Sequence, residues 1–355
     1  MAWNALAWVL LTALVVGRPA AAAVPLPCPL AAGWRQVVLD QLPRRDGNGL
    51  PVGGLSAMGP VPQAIGATAL ELLSDAPEPV LVRIDGLGTG QGLRIIERRP
   101  LTSGVGAALP PMIDGEGLVR RGNDLWVASE GRRSDDRPAQ LLRFDGAGRL
   151  RQAIAMPRDW QPQPGRGLVA NGGPESLSLL QQPGQADALL MAAEYPLLQD
   201  PPGEVRLLVW SLATMPPSPQ PLVSLRLPGS DWGLTDLLPV ADGRGGTRLL
   251  ALLRRFATPD RWGARLALYP LPPPRPAGEG RPAPLAPLLS WDLLAGGDTG
   301  PALPADNWEA LALGPPLPDG TPTLVLASDD NFSPFQANHL ALLAPRRLPS
   351  CHPLP

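Results

Sequence analysis

The run Glu116-Gly117-Leu118-Val119 is followed by Leu125-Trp126-Val127-Ala128-Ser129-Glu130, then Leu141-Leu142-Arg143-Phe144-Asp145, then Arg151-Gln152-Ala153-Ile154-Ala155. Four short runs rich in apolar residues, separated by Gly, Asn, Asp and Pro, predict four short strands joined by turns. The order recurs along the chain. The first strand begins with Gly or an acid followed shortly by Leu, at Gly53, Glu116, Glu175, Asp236 and Glu309, with spacings of 63, 59, 61 and 73 residues. An apolar second strand running into a charged residue follows each, reaching Asp75, Glu130, Glu194, Arg254 and Asp329. Four strands per unit of about 60 residues predict an all-β fold, a single β-propeller. Motif counting gives five blades, or six should the irregular stretch Pro100 to Met112 hide another. The fifth unit lacks a fourth strand at its C-terminal end. Trp34-Arg35-Gln36-Val37-Val38-Leu39 can supply it, so that strands from both ends of the chain close the ring.

The composition agrees with this reading and narrows the chemistry. The 48 Pro and 39 Gly of the 355 residues are turn punctuation, because 44% hydrophobic residues and a formal net charge of -2 argue for a buried core rather than disorder. The longest gap between units holds a Pro-rich loop insertion, 270–287. All 30 basic residues are Arg, which excludes a Schiff-base lysine, a phosphate-loop lysine and a lysine general base. Two His and two widely separated Cys exclude a three-His zinc centre, a zinc ribbon and a redox CxxC pair. No nucleotide, haem or zinc is expected, and the near-neutral charge argues against a nucleic-acid partner.

Residues 1–23 are expected to be a signal peptide. Leu6 to Val16 is an apolar run too short to span a bilayer, and Ala20-Ala21-Ala22-Ala23 is a small-residue cleavage region. Residues 24–355 are then a propeller domain without a membrane span, acting as a monomer in the periplasm or outside the cell. In an oxidising compartment Cys28 and Cys351, near the two ends of the mature chain, are expected to form a disulfide beside the ring closure; the alternative is two unrelated thiols in the tails.

Asp114-Gly115-Glu116-Gly117-Leu118, Asn171-Gly172-Gly173-Pro174-Glu175-Ser176-Leu177 and Asn307-Trp308-Glu309-Ala310-Leu311 resemble the Glu-Gly-Leu elements of the phytase-like family, named for the esterase-like activity of phytase. Ala327-Ser328-Asp329-Asp330-Asn331-Phe332-Ser333 is the most specific match, and Ala192-Ala193-Glu194-Tyr195-Pro196-Leu197 the next. The resemblance covers residues from about 50 to 345 and implies a secreted or periplasmic propeller with phosphoester or carboxylic ester hydrolase activity. The sequence departs from the pattern at Arg254, where an acid is expected, and lacks the acidic strings of the calcium-dependent propeller phytases.

With the first strand innermost, Glu116, Glu175, Asp236 and Glu309 are expected to converge on one rim of the channel. Asp75, Glu130, Glu194 and Asp329 would form a second ring beside them. Crowded carboxylates raise one another's pKa values or take up a cation, and oxygen donors in number suit Ca²⁺ or Mg²⁺. The expected catalytic residues are Glu116, Glu175 and Glu309. Asp236, Asp329 and Asp330 are the expected metal ligands, and Arg254 and Asn331 the expected contacts to a small-molecule ester or phosphoester. The rival expectation is a non-catalytic ligand- or protein-binding propeller, its repeated acids accepting backbone N–H groups as joints between blades. Arg83 and Arg143 are expected in ion pairs. A serine triad lacks support, since Gly54-Leu55-Ser56-Ala57-Met58 fails the G-x-S-x-G pattern and His339 is the one His within the repeats.

Overall fold

The computed structural model describes residues 26–61, 69–76, 78–182, 184–241, 246–257, 261–271, 282–298 and 300–348. These hold strand β1 (Trp34–Gln41) and five consecutive groups of strands. Blade 1 is β2 (Leu55–Pro60), β3 (Leu70–Ser74), β4 (Val80–Asp85) and β5 (Arg94–Pro100); blade 2 is β6 (Gly115–Arg121), β7 (Asp124–Ser129), β8 (Gln140–Asp145) and β9 (Leu150–Ala155). Blade 3 is β10 (Pro174–Leu180), β11 (Ala188–Ala193), β12 (Glu204–Ser211) and β13 (Ser218–Arg226). Blade 4 is β14 (Gly233–Ala241), β15 (Thr247–Ala257), β16 (Arg261–Pro270) and β17 (Leu289–Asp292). Blade 5 is β18 (Trp308–Gly314), β19 (Thr323–Ser328) and β20 (His339–Pro345), completed by β1. All five sheets are antiparallel and four-stranded, and no α-helix occurs among the described residues.

The burial pattern follows from each strand's place in its blade. The second strands lie between neighbouring sheets, with both faces covered, so β11 and β19 are buried at every position. The outer strands keep one face in water, and β9 alternates between buried or half-buried and exposed positions. The innermost strands touch in the cyclic order β2, β6, β10, β14, β18 and back to β2, so the ring is continuous around a channel.

Closure by both chain ends is as expected: β1 pairs with β20 from Trp34↔Pro345 to Gln41↔His339. Trp34 is fully buried and meets Trp291 of blade 4 edge-on, with ring centroids 5.7 Å apart. Stretch 100–112 contains no sixth blade. Thr102 instead runs beside blade 2, where its N–H donates to Gly148 O and its carbonyl accepts from Leu150 N–H, each at 2.8 Å. The Pro-rich insertion also returns to the sheet: Arg226 N–H donates to Leu285 O and Leu285 N–H to Ser224 O, both at 2.8 Å, at the outer edge of blade 3. Residues 1–23 and Cys351 lie outside the described residues. Cys28 is bridged in parallel to Arg347, and Leu348 N–H donates to Cys28 O at 2.9 Å, close in sequence to Cys351. Arg83 pairs with Glu97 at 2.5 Å, and Arg143 with Asp124 at 2.9 Å.

Candidate functional site

Each innermost strand carries one β-bulge against its neighbour, and the bulges fall at equivalent places. Register is lost between Leu55 and Ala57, Gly115 and Gly117, Pro174 and Ser176, Leu234 and Asp236, and Trp308 and Ala310. The unmatched residues are Ser56, Glu116, Glu175, Thr235 and Glu309. A bulge inserts one residue and re-aims its side chain out of the ladder. Four of these five side chains, all but Thr235, line a cavity of about 430 Å³ at the N-terminal ends of the innermost strands.

This register corrects the sequence alignment at two units. In blade 4 the equivalent of Glu116 is Thr235, not Asp236. The carboxylate of Asp236 accepts from Leu237 N–H at 2.8 Å and Leu311 N–H at 2.7 Å, joining blades 4 and 5 away from the acidic rim. It lines a separate, largely apolar cavity of about 370 Å³ toward the other end of the channel. In blade 1 the equivalent is Ser56, not Gly53. Gly53 and Gly54 are glycines for steric reasons: a Cβ on Gly53 would strike Asp330 Oδ1, and one on Gly54, where φ is +60°, would strike Asp75 Oδ1.

Of the four acids expected in the second ring, Glu194 alone does not line the cavity. Asp75, Glu130, Arg254 and Asp329 line the cavity, together with Asp114, Arg132, Asn171, Tyr195, Asn307 and Asn331. Carboxylate oxygens of Asp75, Asp114 and Glu116 lie within 4.8 Å of one another, as do those of Glu130, Glu175 and Glu194. Arg254 crosses between the rings: Nη2 donates to Glu194 Oε1 at 2.6 Å, and Nη1 to Glu309 Oε1 at 2.5 Å and to Asn307 Oδ1. Asn307 Nδ2 also donates to Glu309 Oε1 at 2.7 Å. The Arg254 guanidinium is therefore engaged by protein carboxylates. Arg132 is half exposed, 3.5 Å from Asp114, and is the more accessible cation.

Several acids also act as joints. Glu130 Oε1 accepts from Gly173 N–H at 3.1 Å, linking blades 2 and 3. Asp329 Oδ1 accepts from Leu55 N–H at 3.0 Å and Asn331 N–H at 2.9 Å, linking blade 5 to blade 1. Asp330 is directed away from the cavity, its Oδ1 accepting from Gly54 N–H at 3.2 Å and Phe332 N–H at 3.0 Å. In contrast, Glu175 is 4% exposed and its Oε2 has no hydrogen-bond partner. An orphaned buried carboxylate oxygen is costly, and here it adjoins two further carboxylates.

Burial and mutual repulsion keep these acids from ionising easily. Burial, then the charges of Asp329 and Asp114, pushes the Asp75 carboxyl up to about 7. Burial, then Glu194 and Asp114, pushes Glu130 up to about 8 against the opposing Gly173 N–H bond. Burial raises Asp329 to about 6, held back by its bonds from Asn331 and Leu55. Glu116 and Glu175 rise well above the usual carboxylate range through burial and then their acidic neighbours. Glu309 also rises through burial, although Arg254 opposes the shift.

Asp114 and Tyr195 stood in quoted motifs without an assigned role; their position beside charged strand ends was the available signal. His339 does not line the cavity, and its Nε2 lies 3.5 Å from Asp306 Oδ2.

Among solved structures, the chain is similar to the periplasmic gluconolactonase of Pseudomonas aeruginosa, with 15% identity over 91% of this chain and 98% of that one and a TM-score of 0.39. It is similar to a putative 6-phosphogluconolactonase of Bacteroides uniformis, with 14% identity over 79% of each chain and a TM-score of 0.36. A glucose dehydrogenase shows 13% identity over 86% of this chain and 98% of that one, with a TM-score of 0.44. These distant likenesses bear on neither the reaction nor the substrate of this chain. No curated protein matches. The model of the family described as "Phytase-like: Esterase-like activity of phytase" matches residues 50–332, and the chain belongs to that family.

Proposed function

We propose that the acidic cavity hydrolyses a phosphoester or related ester with a bound divalent cation, Ca²⁺ or Mg²⁺. The observation that carries this reading is the orphaned Glu175 Oε2, buried within a cluster of three carboxylates. The donor set fits a hard cation, being all oxygen and in excess of the nearby Arg charge. Glu130, Glu175 and Glu194 would hold it, leaving Glu116, which clusters with Asp75 and Asp114, available to carry a proton. Asp329, at the same cavity, is a flanking candidate. When bound, the cation supplies neutralising charge and polarises a phosphoryl or acyl oxygen.

The side chains of the protein have separable tasks in this reading. Burial and then its acidic neighbours raise the Glu116 carboxyl well above the usual carboxylate range, so it can donate a proton to a leaving-group oxygen. Glu309 is oriented by Arg254 and Asn307 and, once ionised, which Arg254 favours against burial, can accept a proton from water. Arg132 can meet an incoming anion, while Arg254 pairs with Glu194 and Glu309 and orients them. Asn331, which lines the cavity, can bind the ester. Asp236 and Asp330 serve as joints through the backbone N–H groups they accept.

A second reading makes the chain a non-catalytic binder. It is favoured by the inter-blade bonds of Glu130 and Asp329, which give those acids a purely structural task. Turnover of p-nitrophenyl phosphate and p-nitrophenyl acetate, with and without chelator, separates the two. Hydrolysis that stops with chelator and with Glu116→Gln plus Glu309→Gln supports the hydrolase. Full activity in that double variant removes these residues from the reaction, and no turnover of either ester favours the binder.

The same proposal includes export with removal of residues 1–23 and a Cys28–Cys351 clasp. The backbone pairing of Cys28 with residues 346–348 supports the clasp. Mass measurement of the exported protein, before and after reduction, tests both.

A further inference from the structure

Three of the four Phe side chains are exposed: Phe256 at 49%, Phe332 at 46% and Phe335 at 95%. Phe256 belongs to an unusually long hairpin. Strands β15 and β16 have eleven and ten residues, whereas β7 and β8 of blade 2 have six each. The second strands of the other blades end just before their acid, but β15 continues past Arg254 and pairs Phe256 with Trp262 on β16. Both aromatic residues line the acidic cavity, with ring centroids 4.5 Å apart and planes tilted by 41°.

The adjacent cross-strand pair, Arg255 and Gly263, packs on Trp232. The guanidinium carbons of Arg255 and Arg265 lie 5.1 and 5.0 Å from the Trp232 ring, and a Cβ on Gly263 would come within 3.0 Å of that ring. These contacts brace the hairpin, so an aromatic wall stands beside a cavity whose other walls carry carboxylates and the amides of Asn171, Asn307, Asn331 and Gln336.

We propose that this wall is a saccharide subsite: the C–H face of a pyranose ring packs on Phe256 and Trp262 while its hydroxyls bond to the carboxylates and amides opposite. A pyranose has an apolar face and a rim of hydroxyls that both donate and accept, which matches an aromatic surface facing mixed oxygen and amide groups. An organic cation would be better met by aromatic faces on several sides, and here the pair forms one wall. The subsite deepens the hydrolase reading by naming a sugar ester as its substrate class, but binding at the wall does not require turnover.

The test is calorimetric titration of the full-length protein with the methyl pyranosides of glucose, galactose and mannose, and separately with tetramethylammonium. At least one pyranoside should bind, and Phe256→Leu plus Trp262→Leu should weaken it roughly tenfold with an unchanged melting temperature. Trp262→Phe, which keeps a flat ring, should retain most of the affinity; this single variant also tests the proposal if the double variant fails to fold. Binding of tetramethylammonium alone, no binding of any pyranoside, or undiminished binding in the folded double variant overturns the proposal. Pyranoside binding without ester turnover leaves the subsite standing and counts against the hydrolase reading, whereas turnover without pyranoside binding does the reverse.

Discussion

Arg254 occupies in blade 4 the position that Glu194 occupies in blade 3, and the two side chains meet, Nη2 to Oε1, at 2.6 Å. The one basic member of the second ring thus neutralises acids of both rings, since its Nη1 also reaches Glu309. Removing it leaves largely buried carboxylates without their cation. Arg254→Gln should lose about 3 kcal/mol of stability at pH 7 in chelator, measured by urea unfolding. Added Ca²⁺ should recover part of the loss. An unchanged unfolding midpoint would show that the pair is energetically idle.

The raised carboxyl values define a pH dependence. Asp329, Asp75 and Glu130 are shifted up to about 6, 7 and 8, so the native state holds more protons than the unfolded chain above the usual carboxylate range. Their contribution is full below that range and is lost as pH rises through these values. In chelator the melting temperature should therefore fall between pH 6 and 8.5, and saturating Ca²⁺ should flatten the fall. Cation binding at pH 7 should also release protons, read as a calorimetric heat that changes with buffer ionisation enthalpy. A melting temperature that climbs with pH in chelator contradicts the assignment.

Glu175 and Asp236 separate ligand from joint. Glu175→Gln should weaken Ca²⁺ binding roughly tenfold or more, because it removes one charge from a three-carboxylate set. Asp236→Ala should leave Ca²⁺ affinity unchanged but cost about 2 kcal/mol, as Leu237 and Leu311 N–H groups lose their acceptor. Calcium titration paired with urea unfolding of both variants checks the contrast; equal effects on affinity would remove it.

Ring closure should respond to changes at the N-terminal strand. Trp34→Ala empties a fully buried site against Trp291 and should cost about 4 kcal/mol in urea unfolding. Cys28→Ser should lower stability by about 2 to 4 kcal/mol under oxidising conditions and by much less after reduction. An oxidised and a reduced wild-type protein of equal stability would argue against the clasp.

The four-strand unit, the closure by β1 and five repeat motifs were legible because strand length, turn residues and repeat spacing are local properties of the chain; that 100–112 hides no sixth blade was not. Glu116, Glu175 and Glu309 were legible for the same reason, as acids opening a repeated strand. Asp236 was misplaced because a bulge shifts the facing of a strand by one residue, and where the ladder slips depends on the partner strand. Asp330 resembled a ligand in the sequence, but its carboxylate is engaged by backbone N–H groups around Gly54, from the opposite end of the repeat array.

The sequence by itself determined a propeller of four-strand units closed by both chain ends and a chemistry without lysine, zinc or redox cysteines, since periodicity and composition need no knowledge of neighbours. Only the tertiary structure decided five blades rather than six. Tertiary structure alone decided which carboxylates share a cavity, which are spent on inter-blade bonds, and that Phe256 and Trp262 face the acids. Those outcomes depend on contacts between residues far apart in the chain, and on burial, which sets both the charge of an acid and the cost of leaving it without a partner.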